Sequence, residues 1–230
     1  MQKYKHLFFD LDRTLWDFEK NSIEAFRIIF HKRSLSKFFP DFDQFITTYK
    51  MHNEKLWDLY KLGQIKKEEL RDRRFLLTLN DFGNNDEALA HEIGDDYIEL
   101  SPLQTILFPG TIETLEYLRP KYQMYIITNG FVEVQYKKLK NCGLDMYFDR
   151  VITSEAAKAS KPKPEIFHFA LSSANAKKIE SLMIGDDLEN DILGAKRYGF
   201  DQVFFNPDKK SHQENVTFEI ESINDLQNIL

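Results

Sequence analysis

Cysteine is almost missing. Cys142 is the single one in 230 residues, which excludes an intrachain disulfide and a cysteine-based zinc site. Long apolar runs are missing too, with no stretch near the roughly 18 residues of a membrane span. The first twelve residues hold one apolar triplet, 7–9, cut by Asp10 and Asp12, too short and too acidic for a signal peptide. There is no surplus of positive charge. Lysine and arginine total 31 against 37 acids, a formal net charge of -6, so the chain has no electrostatic footprint for wrapping nucleic acid. No internal repeat or low-complexity tract is visible. Apolar material is not scarce: 42% hydrophobic and 14% aromatic residues supply a core and argue against intrinsic disorder. These features predict a cytoplasmic globular protein without membrane or nucleic-acid partners. Its length suits one large domain, or one domain with an inserted module.

Five apolar runs read as strands: residues 6–11, 124–128, 151–153, 182–184 and 202–205. Four are continuous apolar cores bounded by polar or glycine punctuation, as in strands buried on both faces of a parallel sheet. Helical patterns lie between them. Residues 111–118 follow a Pro109-Gly110 turn, and 132–141 stop near Gly143. Residues 164–174 begin with a proline and 188–198 end at Gly199, both regular helix-terminus choices. Strand alternating with helix predicts an α/β fold with a doubly wound parallel sheet. Between 17 and 107 the alternation stops. Ile23, Phe26 and Phe30, then Phe42, Phe45, Ile46 and Tyr49, then Leu89, Ile93, Tyr97 and Leu100 keep helical spacing. Turn signals around Pro40, Gly63 and Gly83 divide this region into three or four amphipathic helices. An all-helical module is therefore expected at 17–105, inserted into a core made of 1–16 and 106–230.

Candidate chemistry gathers at strand ends. Asp10-Leu11-Asp12-Arg13-Thr14 closes the first strand. Side chains at i and i+2 share a face, so both carboxylates project together if the strand runs through Asp12. Open α/β sheets place ligands at such carboxyl ends. Neighbouring carboxylates repel unless a cation intervenes, and a hard divalent ion takes oxygen ligands; capping the next loop is their plainer use. Gly185-Asp186-Asp187-Leu188-Glu189-Asn190-Asp191 closes another strand and opens a helix. Three aspartates there exceed what capping needs, and one of them could complete a metal site begun by Asp10 and Asp12. Thr128-Asn129-Gly130 offers a hydroxyl and free N–H groups, either a phosphate cradle or a plain turn. In Ser160-Lys161-Pro162-Lys163-Pro164 two prolines stiffen a loop. Lys161 would balance the acids and grip a phosphate oxygen, with Lys163 as its rival.

Taken in order and spacing, these motifs resemble the haloacid dehalogenase-like (HAD) hydrolase superfamily along the whole chain. The helical module falls where that superfamily carries its type 1 cap. More narrowly, four segments are similar to its housecleaning pyrimidine 5'-nucleotidases. They are Asp12-Arg13-Thr14-Leu15-Trp16, Leu56-Trp57-Asp58-Leu59-Tyr60-Lys61-Leu62-Gly63, Ile126-Ile127-Thr128-Asn129-Gly130-Phe131 and Asp191-Ile192-Leu193-Gly194-Ala195. Arg13 departs from the small or acidic residue often seen there. Asp187 stands where many relatives have a small polar residue.

The resemblance implies a Rossmann-like core and a Mg2+-dependent phosphomonoester hydrolase. It assigns Asp10 as a nucleophile that forms an aspartyl-phosphate. Asp12 would protonate the leaving oxygen and later deprotonate water, which asks for a raised Asp12 pKa. Mg2+ would be held by Asp10, the Asp12 main-chain carbonyl and Asp186. Thr128, Asn129, Gly130 and Lys161 would bind phosphate, with Asp191 orienting Lys161 or a water at the metal. The implied substrate is a small phosphorylated metabolite, with pyrimidine nucleoside monophosphates favoured. Other small phosphoesters, a sugar phosphate or phosphoglycolate, come next, and a phosphoglucomutase last. The protein would be a monomer or a dimer. Trp16, Phe18, Trp57 and Tyr60 could stack a nucleobase but suit a core better; Phe131 is better placed for substrate. Arg71, Arg73 and Arg74 read as a solvated helix face.

Overall fold

A computed structural model describes residues 3–230; Met1 and Gln2, the start of the expected core segment, lie outside the described residues. The chain opens with β1 (His6–Phe9), followed by α1 (Phe18–Lys32), α2 (Phe42–Lys61), α3 (Lys67–Asn80) and α4 (Glu87–Leu100). Then come α5 (Thr111–Leu118), β2 (Gln123–Thr128), α6 (Val132–Asn141), β3 (Arg150–Thr153), α7 (Ser154–Ala157) and α8 (Pro164–Ala174). The chain closes with β4 (Ser181–Gly185), α9 (Gly194–Tyr198), β5 (Asp201–Phe205), β6 (Phe218–Ile220) and α10 (Leu226–Ile229). Two compact units result: Met1–Phe18 with Thr105–Leu230, and Glu19–Gln104.

The first unit is a doubly wound α/β core. Its six strands run in the order β3-β2-β1-β4-β5-β6, and every pairing is parallel. Side chains alternate between two buried faces, as the period of a strand requires. Leu7, Phe9, Met124, Ile126, Leu182 and Ile184 fill one side. Phe8, Tyr125, Ile127 and Met183 fill the other. Burial on both faces explains why these strands read as unbroken apolar runs. In register, Phe9 stands beside Ile126 on one side and Ile184 on the other. The segments leaving β1, β2 and β4 therefore emerge together at one edge.

Two local differences from the expected elements bear on that edge. β1 stops at Phe9 instead of running through Asp12. The Leu11 carbonyl accepts from the N–H groups of Thr14, Leu15 and Trp16, and Arg13 adopts φ 66°. The chain is thus wound into a tight loop, and Asp10 and Asp12 are not i and i+2 of one strand. Residues 188–198 are not one α-helix either. Leu188–Leu193 is a π-helical turn leading into α9, in which Ile192 N–H reaches back to the Asp187 carbonyl. Such turns recur at functional sites. β6 was not foreseen: it is three residues long, with the middle one exposed.

The second unit is helical, and its core is aromatic. Phe26 stacks on Tyr97 at 4.4 Å and meets Tyr49 edge-on at 4.4 Å. Asp41 and Asp86 cap α2 and α4 by accepting from the N–H groups of Gln44 and Leu89. Arg74 corrects the expectation of a solvated basic face. It is buried, and its guanidinium donates to Asn53 Oδ1 at 2.9 Å and to the Tyr49 hydroxyl at 3.3 Å. Arg71 and Arg73 do face solvent-side acids, Asp72 and Glu69. Trp57 and Tyr60 are half-buried and pack edge-to-face. No described helix is long and apolar enough to cross a membrane.

Candidate active site

Asp10 continues the β1 ladder by one bond, its N–H donating to the Ile184 carbonyl at 2.9 Å. That bond fixes its backbone level with the end of β4, and the residue is 6% exposed. Lys161, 3% exposed, contacts Asp10 Oδ1 and lies 2.6 Å from Asp191 Oδ1. Its ammonium also donates to the Ile127 carbonyl at 2.9 Å. The loop carrying Lys161 is clipped to the end of β2 by Asn129. The Asn129 side chain accepts from Lys161 N–H at 2.8 Å and donates to the Lys161 carbonyl at 3.0 Å. Asn129 thus has a visible positioning task. Lys163, the rival lysine, is in none of these contacts.

Asp10, Asp186 and Asp191 offer carboxylate oxygens within 4.8 Å of one another. Asp186 accepts from the Thr14 hydroxyl at 3.0 Å. Gly185 makes room for Asp191: a Cβ there would lie 2.4 Å from Asp191 Oδ2. Asp187 has another task. It caps the π-helical turn, accepting from the N–H groups of Glu189 and Asn190. Between the two adjacent aspartates, Asp186 is the one turned into the acid cluster.

The electrostatics follow from this crowding. Burial raises the pKa of Asp10, and the Asp191 and Asp12 carboxylates add to it, with Lys161 opposing. Burial also raises Asp191 and Asp186, each pushed further by neighbouring carboxylates. Lys161 shows the opposite balance. Burial disfavours its charge, yet the Asp10 and Asp191 carboxylates outweigh that and raise its pKa. One ammonium among three carboxylates, two buried and one half-buried, leaves negative charge in a poorly solvated place, which a further cation would relieve. An all-oxygen donor set suits a hard divalent ion such as Mg2+.

Asp12 does not join this cluster. Its Oδ1 lies 2.5 Å from the Lys138 ammonium, and its Oδ2 accepts from Gln135 Nε2 at 2.7 Å. The expectation of a raised Asp12 pKa is therefore corrected. Burial alone would raise it, but the Lys138 ammonium, the Gln135 amide and Arg13 together hold it below the ordinary carboxylate value. Gln135 also donates to the Thr128 hydroxyl at 3.0 Å, which in turn accepts from Gly130 N–H at 3.0 Å. Gly130 is needed here, since a Cβ would fall 1.7 Å from Gln135 Nε2. Lys138 Nζ sits 3.8 Å from the Trp16 ring centroid; Trp16 itself is core. Phe131 is buried as well. Gln135 and Lys138 were not foreseen. In sequence Lys138 resembles Lys137 and Lys140, and only its i, i+3 relation to Gln135 on one helix face hints at a shared task.

A family model described as haloacid dehalogenase-like hydrolase matches residues 4–199. The chain is 30% identical to the HAD-hydrolase YfnB of Bacillus subtilis over 234 residues, covering 100% of this chain and 97% of that protein. It is 29% identical to the pyrimidine 5'-nucleotidase YjjG of Escherichia coli, covering 99% and 98% of the two chains. It is 30% identical to the pyrimidine 5'-nucleotidase PynA of Streptococcus pneumoniae, covering 99% and 95%. The crystal structure of YfnB bound to magnesium superposes with TM-score 0.90 at 28% identity, over 99% of this chain and 98% of that one.

Proposed function

The chain belongs to the haloacid dehalogenase-like hydrolase family, and on that premise we propose that it is a Mg2+-dependent phosphatase of pyrimidine nucleoside 5'-monophosphates. The observation that carries this reading is the convergence of Asp10, Asp186 and Asp191 within 4.8 Å, with Lys161 bridging Asp10 and Asp191. The pyrimidine preference rests on the two nucleotidase relatives and on the four quoted segments.

Asp10, Asp186 and the Asp12 main-chain carbonyl would hold Mg2+. Bound there, the ion would offset the repulsion between a carboxylate nucleophile and an anionic phosphate ester. An Asp10 oxygen attacks phosphorus, and the bond from phosphorus to the nucleoside 5'-oxygen breaks as the new one forms. Lys161, the Thr128 hydroxyl and the Asn129 N–H stabilise charge on the phosphoryl oxygens, the main source of rate in phosphoryl transfer, while the Gly130 N–H holds the Thr128 oxygen. Asp12 gives a proton to the departing 5'-oxygen. It takes up that proton as the dianionic ester docks nearby, because added negative charge raises a carboxyl pKa. Asp12 then removes a proton from the water that cleaves the acyl phosphate, and Asp10 is regenerated.

Phosphate release from UMP, dUMP and dTMP, measured with Mg2+ and with chelator, tests the proposal. Release well above that from sugar phosphates and phosphoglycolate, lost on chelation, is expected. Asp10→Asn should lower turnover by about four orders of magnitude or more while the protein still folds, as its circular dichroism and a cooperative thermal transition would show. Near-native turnover in that variant would end the covalent reading, and preference for a sugar phosphate would end the nucleotidase reading.

A further inference from the structure

We infer that Gln135 and Lys138, one turn apart on α6, are positioning residues that set the orientation of the Asp12 carboxyl for work on the leaving group. This inference rests on the reading of Asp12 as the acid. Two donors from one helix face meet the two oxygens of one carboxylate. Lys138 takes Oδ1 at 2.5 Å and Gln135 takes Oδ2 at 2.7 Å. A carboxylate gripped at both oxygens has its plane and its rotamer decided together. The donors themselves are immobilised: Gln135 is 1% exposed and Lys138 is 3% exposed.

Each donor is also tied to something else. Gln135 Nε2 bridges Asp12 to the Thr128 hydroxyl, so the candidate acid and the candidate phosphate cradle share one amide. Lys138 lies over the Trp16 ring at 3.8 Å and the Phe18 ring at 5.7 Å, which favours its charge in a dry place. Among the described residues, Asp12 is the one carboxylate within 4.0 Å of Lys138. A buried lysine is costly without such a partner. A salt bridge that merely fastened α6 to the loop after β1 would not require the glutamine, nor a Gly130 whose missing side chain lets that glutamine in.

The two roles differ in what they do to different leaving groups. An acid matters when an alkoxide departs and hardly matters when a nitrophenolate does. Lys138→Met should therefore lower kcat/KM for UMP by about a hundredfold, within the range of general acid catalysis, while kcat/KM for p-nitrophenyl phosphate, which does not report the later deprotonation of water by Asp12, barely changes. Gln135→Leu should show the same pattern more weakly. Lys138→Arg, which restores a cation, should recover part of the loss. Combined with Asp12→Asn, Lys138→Met should add little, because both remove one function. Melting temperatures show which variants fold; if Lys138→Met does not, Gln135→Leu and Lys138→Arg carry the comparison. Equal losses for both substrates, or losses that multiply with Asp12→Asn, would overturn the inference while leaving Asp12 as the acid. If Asp12→Asn itself showed no leaving-group dependence, the acid assignment would fall first and this inference with it.

Discussion

Two buried lysines stand near the end of β1, and the aspartates they contact have pKa values shifted in opposite directions, although each lysine lowers its partners. Lys161 serves Asp10 and Asp191, with Asp186 within 4.8 Å of both. Lys138 serves Asp12 alone. Burial acts on all four carboxyls in the same direction, upward. The outcome differs because of the ratio of cations to acids. One ammonium between Asp10 and Asp191, with Asp186 beside them, leaves the carboxyls raised, whereas an ammonium, an amide and the Arg13 guanidinium around a single acid leave it lowered. The first arrangement is short of positive charge and suited to recruiting it. The second is balanced and suited to holding one side chain still.

Removing the shared lysine should break this contrast most visibly. Lys161→Met leaves the buried Asp10 and Asp191 carboxyls without their cation, and breaking a buried pair by deleting one partner costs about 3–5 kcal/mol. Denaturant unfolding in chelator should register that loss, and Mg2+ should restore part of it. Lys138→Met strands one carboxyl that still keeps Gln135, so its loss should be smaller and insensitive to Mg2+. Equal destabilisation of the two variants would mean that the acid cluster is not short of charge.

Much of this arrangement was legible in the sequence, and the illegible parts share a cause. Continuous apolar runs marked β1, β2, β4 and β5 because burial on both faces demands them. Their ends carried Asp10, Thr128 and Asp186, which the parallel register then brings to one edge. Lys161 stood out through its prolines. The state of Asp12 was not legible. It depends on a loop wound by the Leu11 carbonyl and on a lysine 126 positions away, one of several lysines on α6 that composition cannot tell apart. Arg74 escaped for the same reason: its neighbours Arg71 and Arg73 are exposed or half-exposed, and only the helix packing decides which of the three is inside.

The contrast also has a pH signature with a definite sign. A carboxyl with a raised folded pKa binds its proton more tightly folded than unfolded. Its contribution is full below the ordinary carboxyl range and is lost as pH rises through the raised value. Chelated protein should therefore lose stability from pH about 4 towards neutrality, by up to about 1.4 kcal/mol per pH unit for each proton involved. Asp12 pulls the other way, its contribution being lost as pH falls through its lowered pKa. Asp186→Asn should flatten the decline, and Mg2+ should flatten it in the wild type. Melting temperatures from pH 5 to 8, with chelator and with Mg2+, check both; a decline unchanged by the substitution would place its origin outside the acid cluster.

The smallest expected effect separates two neighbours in the chain. Asp187 accepts from two backbone N–H groups at the start of the π-helical turn, whereas Asp186 faces Asp10 and Asp191. Asp187→Ala should cost about 1 kcal/mol, the usual value of a lost N-cap, and leave Mg2+-dependent turnover close to wild type. Asp187→Asn, which still accepts from those N–H groups, should cost little. Asp186→Asn should reverse the pattern, sparing stability and weakening the response to Mg2+. Calorimetric Mg2+ titration beside thermal unfolding distinguishes them, and a loss of Mg2+ binding in Asp187→Ala but not in Asp186→Asn would exchange the roles of the two aspartates.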